Sequence, residues 1–389
     1  MSPTDPSPAA PGFADAPPAP VAANDSAPQL QTHRFTFTGS GSEYFRIWIV
    51  NLFLSIITLG VYSAWAKVRR MQYFDRNTQL AGASFDFDGD PKAILRGRVL
   101  AVVLLAAYQY AFGFSIGVGI AVVLMLLMLL PFMMRGALRF RLRNTRYRGL
   151  RFNFSGSAPR AYWAYLPPLM LFLTPAALLA IDPSGKLMLP VVALYLVWPL
   201  MHGAMKGYQH RHLEFGSQQS SYGLAKRKFY KPYLAAMGLG IGASLLVAGL
   251  VVAMAAAGSM GGVGAMDDWA PMLAVVAMMY MVYLIAGPFV QVRIANLAWS
   301  NTSFPGVSIS SHLKARGYLR LQTANAVLTL LTLGLYRPFA VVRAYEYRLA
   351  HTTVQTGSGL EHIAAGMTRS SRAAGSDGVA DFLGVDLSW

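Results

Sequence analysis

The sequence lacks cysteine altogether and is poor in charge, since charged residues make up 13% of its 389 residues. Without cysteine the chain can form no disulfide, no thiolate metal site and no cysteine nucleophile. Charged residues reach about 25% in soluble proteins, whereas hydrophobic residues here account for 54%. The composition therefore predicts a polytopic membrane protein and not a set of soluble domains.

Acidic residues are missing from the parts of the chain where a proton-coupled transporter would need them. None occurs between Lys92 and Asp182, and no predicted span has Asp, Glu, Lys or Arg at its centre. Ionisable residues at membrane depth mark proton relays and ion pathways. Their absence argues against a pump or a proton-coupled transporter.

Signatures of catalysis and of cofactor binding are also scarce. The sequence contains no phosphate-binding G-x-x-x-x-G-K-[ST] and no H-E-x-x-H. His202, His210 and His212 with Glu214 form the one cluster of metal-ligand types, and we interpret it as a solvated basic loop. We therefore predict a protein that is not an enzyme and that has no cofactor and no metal site.

Long apolar stretches occur in three pairs and predict about six membrane spans. Val99–Met134 reads as a tight hairpin, the second pair is broken at Asp182–Lys186, and the third by a glycine-rich turn ending in Asp267-Asp268. Basic residues cluster in the four segments beside these pairs. The positive-inside rule places those segments in the cytoplasm, where anionic phospholipid head groups are natural neighbours. These flanks explain most of the net charge of +16, so we predict no nucleic-acid binding.

One segment of the chain is duplicated. Tyr44–Arg69 recurs in register as Tyr318–Arg343, with a shared Asn, Thr-Leu-Gly, Tyr and Arg. Two topologies fit. Each copy can turn back at its Thr-Leu-Gly, which gives six spans, or cross the membrane once, which gives eight spans and both termini outside. Basic residues at both ends of the second copy favour the copies that turn back.

A shorter pattern repeats around the hydrophobic elements. The unit is Phe-x-Phe-x-Gly, then a hydrophobic element, then Asn-Thr-x-x-x-Gly, and it runs about five times; Asn77–Gly82 and Asn144–Gly149 match position by position, whereas His210–Gly216 is degenerate. The alternation in Phe-x-Phe predicts a short strand with one buried face, and Asn and Gly fit turns. We therefore predict an all-α polytopic membrane protein, built as helical hairpins in about five degenerate repeats, with short β-strands on the cytoplasmic side.

The polar residues of the duplicated segment are candidates for a site within the membrane. They are Asn51, Thr58, Gly60, Asn325, Thr332 and Gly334. Polar groups beside a broken helix can coordinate an ion or a polar solute. Alternatively, they bond across helices or satisfy freed backbone groups.

The ends of the chain differ in composition from its centre. Residues 1–33 are rich in Pro, Ala and Ser, and residues 353–389 are rich in Gly, Ser and Ala. Neither stretch buries enough apolar surface to fold. We predict a disordered N-terminal arm (1–33), a repeat-built transmembrane domain (34–352) and a flexible C-terminal tail (353–389).

The stretch Gly39–Thr78, which includes E-Y-F-R-I-W-I-V-N-L-F-L-S-I-I-T-L-G-V-Y-S-A-W-A-K-V-R, resembles the YjgN-like family of bacterial inner-membrane proteins. The resemblance covers roughly Phe35 to Thr352. It implies a multi-pass protein of the bacterial inner (plasma) membrane, of unassigned activity and without functional residues to carry over. It also implies a possible partner in the envelope, such as a membrane peptidase.

Two functions are compatible with these observations. The protein can bind or pass a small solute or lipid at the interface between repeats, which predicts a polar cavity that reaches the candidate residues. The alternative is a membrane scaffold or adaptor for another envelope protein, which predicts a sealed bundle.

Overall fold

The computed structural model describes residues 31–260 and 269–357. Most of the predicted arm and tail, and the glycine-rich turn ending in Asp267-Asp268, lie outside the described residues. Two strands extend beyond the predicted limits of the central domain. The first strand begins at Gln31 and the last ends at Thr356.

The described chain is five copies of one unit, a strand, a helical hairpin and a strand. The two outer units have short hairpins. Unit 1 contains β1 (Gln31–Phe37), α1 (Gly41–Ile57), α2 (Ser63–Arg76) and β2 (Thr78–Leu80). Unit 5, at the other end of the chain, contains β10 (Val307–Ser311), α10 (Ala315–Leu331), α11 (Arg337–Ala350) and β11 (Thr352–Thr356).

The three middle units have long hairpins. Unit 2 contains β3 (Ala83–Phe87), α3 (Pro91–Phe114), α4 (Ile116–Arg143) and β4 (Thr145–Tyr147). Unit 3 contains β5 (Leu150–Phe154), α5 (Ala158–Ile181), α6 (Met188–Leu194), a 3₁₀ turn (Tyr195–Val197), α7 (Trp198–Arg211) and β6 (Leu213–Phe215). Unit 4 contains β7 (Gln218–Gln219), β8 (Ser221–Tyr222), a 3₁₀ turn (Lys226–Phe229), α8 (Tyr230–Met260), α9 (Trp269–Trp299) and β9 (Thr302–Phe304).

Six helices are long and apolar enough to cross a membrane, counted among the described residues, and all belong to units 2, 3 and 4. These include α6 and α7, which together with their 3₁₀ turn form one such helix, Met188–Arg211. The prediction of a polytopic membrane protein is therefore confirmed.

The two copies of the duplicated segment turn back, as the first topology expects. Helices α1 and α10 have 17 residues each, about 25 Å at 1.5 Å per residue, which is short of a hydrocarbon core of about 30 Å. Each is followed by a return helix that packs against it. The turn between them leaves Leu59 and Leu333 almost fully exposed, at 96% and 94%.

The prediction of an all-α protein with short strands is confirmed only in part, because the chain is mostly helical but its short strands join into one sheet of eleven strands. Each unit contributes its two end strands, with the first strand of unit 4 divided into β7 and β8, and hairpins pair one unit with the next. The first strand, β1, pairs with the last, β11, from Gln31 with Thr356 to Arg34 with Thr353. The two edge strands, β7 and β8, are joined through the single residue Ser220. The sheet therefore runs around a nearly closed barrel under the helices. Sequence spacing alone could not reveal this continuity, because each strand finds its second partner in another unit.

The apolar residues of the strands face one side of the sheet. Phe35, Phe85 and Phe152, the first aromatic residue of each Phe-x-Phe, pack with Leu80 and Tyr147 in the interior. The second aromatic residue packs under the helices of its unit, as at Phe87, Phe154 and Phe37. The intervening residues are polar, and Asp86 pairs with Arg76 at 2.7 Å. Each Phe-x-Phe motif thus contributes one aromatic residue to the interior of the sheet and one to the base of its helical hairpin.

Candidate functional site

The threonines and glycines of the duplicated segment build its turns. The Thr58 hydroxyl donates to the Leu54 carbonyl at 2.7 Å and accepts from the Tyr62 amide at 2.9 Å. Leu59 and Gly60 have φ of 49° and 90°. The Gly60 amide donates to the Ser55 carbonyl at 2.7 Å, which is the bond of a Schellman motif.

The second copy repeats this geometry. The Thr332 hydroxyl donates to the Leu328 carbonyl at 2.7 Å and accepts from the Tyr336 amide at 2.9 Å. Leu333 and Gly334 have φ of 49° and 93°. Thr58, Thr332 and Gly60 are therefore explained by the structure of the turn alone, without a ligand.

The two asparagines are buried, each with an oxygen that has no partner. Asn51 is 7% exposed and Asn325 is 3% exposed. The Asn325 Nδ2 donates to the Ala340 carbonyl on the return helix at 3.2 Å. Among the described residues, the Oδ1 atoms of Asn51 and Asn325 accept no hydrogen bond. A buried acceptor without a donor costs about 1–3 kcal/mol, so each of these atoms needs an explanation.

A cavity of about 500 Å³ lies between α9, α10 and α11 and reaches Asn325 and Gly334. Neither Asn51, Thr58 nor Gly60 lines it, because they belong to the hairpin of unit 1, and Thr332 does not line it either. The structure thus brings two of the six candidate residues to one cavity.

The cavity lies along one face of each of two neighbouring helices. Its α9 residues follow a helical spacing of three and four, which places them on one stripe: Tyr280, Tyr283, Leu284, Gly287, Pro288 and Gln291. The α10 stripe has the same spacing and consists of Gln322, Asn325, Ala326, Thr329 and Leu330. Sequence reasoning missed the α9 stripe, although its tyrosines and Gln291 share this period. The apolar composition of α9 predicts a membrane span and does not by itself distinguish this stripe from the rest of the helix.

The polarity of the cavity changes along its length. Gln291 and Gln322 lie about 10–12 Å from the sheet ends of their helices, by a rise of 1.5 Å per residue. Tyr280 and Leu330 lie about 22–28 Å from those ends. Leu330 and Leu333 are largely exposed, so the far end of the cavity opens sideways, where leucines lie together with the tyrosines of α9.

The sequence predicts that the histidine cluster is a solvated loop, and this prediction is wrong. His210 and His212 are buried. His210 Nδ1 lies 3.0 Å from the Thr302 hydroxyl, and His212 Nδ1 donates to the Tyr208 carbonyl at 2.8 Å. Within the described ranges no three His, Asp or Glu residues are placed to hold a metal ion.

Sequence reasoning also overlooked one match to a catalytic pattern. Gly113–Gly117 reads G-F-S-I-G, which fits the G-x-S-x-G of serine hydrolases. In that pattern the serine sits on a turn from a strand to a helix. Here Ser115 lies between α3 and α4, and its hydroxyl accepts from the Val118 amide at 3.1 Å. It is a helix N-cap.

Comparison with known proteins agrees with the resemblance seen in the sequence. A family model described as a bacterial protein of unknown function, DUF898, matches residues 32–382. "Inner membrane protein YjgN" of Salmonella typhimurium (strain LT2) is 25% identical over 350 residues, which cover 83% of this chain and 88% of that protein. The protein of the same name from Escherichia coli O157:H7 is 27% identical over 192 residues, 46% of this chain and 47% of that protein. No solved structure gives a significant match.

Proposed function

From the premise that the chain belongs to the bacterial DUF898 family and is a multi-pass protein of the inner membrane, we propose that it binds a small solute or lipid at the interface of units 4 and 5. Binding takes place in the cavity between α9, α10 and α11. The protein acts by holding or passing this molecule and not by catalysing a reaction on it.

The observation that carries the proposal is the meeting of a cavity with a buried, unpartnered side chain. Cavities of this volume, about 500 Å³, are in the range of sites for small molecules. The lining combines apolar side chains with uncharged amide and hydroxyl groups, among them the amide of Asn325. A bound molecule would supply the hydrogen bond that the Asn325 Oδ1 lacks among the described residues.

The cavity favours binding over the scaffold alternative. A scaffold for an envelope protein such as a membrane peptidase was expected to be a sealed bundle. A cavity that opens at the exposed Leu330 and Leu333 supports entry of a molecule from the surrounding bilayer. A scaffold has no need of such an opening.

The proposal is tested by a substitution that fills part of the cavity. Gly287 lines it, and a Cβ atom built there meets no atom within 4 Å. A leucine at this position therefore starts from open space and should fill part of the cavity. Gly238 on α8 also has open space around its Cβ position but does not line the cavity, which makes Gly238→Leu a matched control.

The expected outcome is a loss of bound molecules from Gly287→Leu alone. Protein purified in mild detergent should carry a co-purified small molecule in the wild type and in Gly238→Leu, measured by native mass spectrometry and by extraction. Gly287→Leu should carry much less, at equal yield and thermal stability. Equal loads in all three proteins would refute binding in this cavity.

A further inference from the structure

The polar groups of the cavity carry no formal charge. They are the amides of Gln291, Gln322 and Asn325 and the hydroxyls of Tyr280, Tyr283 and Thr329, and among the described residues no Lys, Arg, Asp, Glu or His lines the cavity. A phosphate, carboxylate or ammonium group would lose its hydration there without gaining a partner of opposite charge, which costs several kcal/mol. The lining therefore selects against charged ligands.

The unpartnered atom sets the direction of the hydrogen bond. The Asn325 side chain already donates through Nδ2 to the Ala340 carbonyl at 3.2 Å. Its Oδ1 has no donor among the described residues, in a side chain that is 3% exposed. An amide oxygen can only accept, so the ligand has to bring a hydrogen. A hydroxyl group provides one without charge.

The gradient of polarity gives the orientation of the ligand. The amides lie toward the sheet end of the cavity, whereas Leu284, Leu330 and Leu333 lie toward its open end, together with the rings of Tyr280 and Tyr283. A molecule with a polar end and a hydrocarbon tail fits this order when the tail follows the helices toward the hairpin tip.

Small residues create the space beside Asn325. Gly287 of α9, Ala326 of α10 and Ala340 of α11 all line the cavity. A Cβ atom added at Gly287 would meet no atom within 4 Å. The cavity is therefore open beside Gly287, which leaves room for a ligand.

We propose that the ligand is an uncharged lipid with a free hydroxyl group, such as a diacylglycerol or a long-chain alcohol, whose hydroxyl donates to Asn325 Oδ1. This inference rests on the proposed function and names its ligand class. The two lipid types share the hydroxyl and differ in the number of tails, so they form separate arms of the test.

The test compares pairs of lipids that differ by the hydroxyl alone. Dioleoylglycerol is paired with its 3-acetyl ester, and hexadecanol with its methyl ether, and dioleoyl phosphatidate serves as the charged probe. Each is titrated into the full-length wild-type protein in detergent, and binding is measured by native mass spectrometry. One buried hydrogen bond predicts a preference of about tenfold for at least one free alcohol over its blocked partner.

Two variants assign the preference to the cavity. Asn325→Leu removes the acceptor and should reduce the preference to about onefold. Asn51→Leu removes the equivalent buried amide of unit 1, which does not line the cavity, and should keep the preference. The wild-type comparison stands even if Asn325→Leu fails to fold.

The outcomes separate this inference from the proposed function. If neither alcohol is preferred over its blocked partner, or if the phosphatidate binds more tightly, the ligand class is wrong. If Asn51→Leu loses the preference as Asn325→Leu does, the hydroxyl is not read in this cavity. The co-purified load of Gly287→Leu decides the proposed function independently of these probes.

Discussion

The second helix of each unit ends with the same kind of side-chain hydrogen bond, which asparagine makes in three units and histidine in two. The C-terminal side chain donates to the carbonyl four residues earlier, at 2.7–2.9 Å, in each unit: Asn77, Asn144, His212, Asn301 and His351. Histidine Nδ1–H and asparagine Nδ2–H are both donors. The repeat looked degenerate at His212 because sequence comparison matches residue types, whereas the fold requires a donor. The same comparison missed the fifth copy at His351.

This equivalence predicts a rescue at the last helix. His351→Ala removes the donor to the Tyr347 carbonyl, which lies 2.8 Å away, and should lower the free energy of unfolding by about 1 kcal/mol. His351→Asn restores a donor and should recover most of that loss. Thermal unfolding of the three proteins in one detergent measures both changes. If asparagine is no better than alanine, the hydrogen bond is not what retains histidine at this position.

At the scale of the element, the two short hairpins depend on backbone that turns left-handed at their tips. Leu333 and Gly334 have positive φ, and Gly334 is beyond the range that residues with a Cβ adopt readily. The sequence predicted this turn from the Thr-Leu-Gly triplet, because glycine and a C-terminal cap are local signals. The role of the threonine, which bonds to both flanks of the turn, could not be read from its identity.

A matched pair of substitutions tests the turn. Gly334→Ala forces a Cβ into φ of 93° and should cost about 1 kcal/mol or more. Gly238→Ala places the same methyl group in the interior of α8 and should stabilise by up to about 1 kcal/mol. Opposite shifts of the unfolding temperature are therefore expected. A neutral Gly334→Ala would mean that the turn relaxes into another conformation.

The second helix of a unit carries a signal that the sequence analysis did not use. Proline stands thirteen residues before the capping residue in units 2 to 5, at Pro131, Pro199, Pro288 and Pro338, and Ala64 takes its place in unit 1. With this register α9 aligns with the other return helices. Gly287 and Pro288 lie at this position of α9, and both line the cavity.

At the scale of the whole molecule, spans and repeats were predictable and the sheet was not. Apolar length and charge are properties of single segments, so six helices and their pairing followed from the sequence. The barrel depends on pairing between units and between the two ends of the chain. The predicted domain limits at 34 and 352 even cut through β1 and excluded most of β11.

The orientation of the whole protein is a prediction that labelling can decide, and the lack of cysteine gives a clean background. Ser84 is exposed on the sheet, and Ser184 is exposed in the turn between α5 and α6. The positive-inside rule places the sheet in the cytoplasm. A membrane-impermeant maleimide should label Ser184→Cys in spheroplasts and Ser84→Cys only after lysis. Labelling of Ser84→Cys from outside would reverse the topology and leave the basic segments outside.

The pairing of β1 with β11 also sets a constraint on biosynthesis. The strand that leaves the ribosome first must remain unsatisfied on one edge while all five hairpins are made, since its partner is the last strand of the fold. Late, long-range pairing of this kind is slow and exposes an open edge to aggregation. A nascent chain that stops short of residue 352 lacks β11 and leaves β1 and β10 each without one of their strand partners.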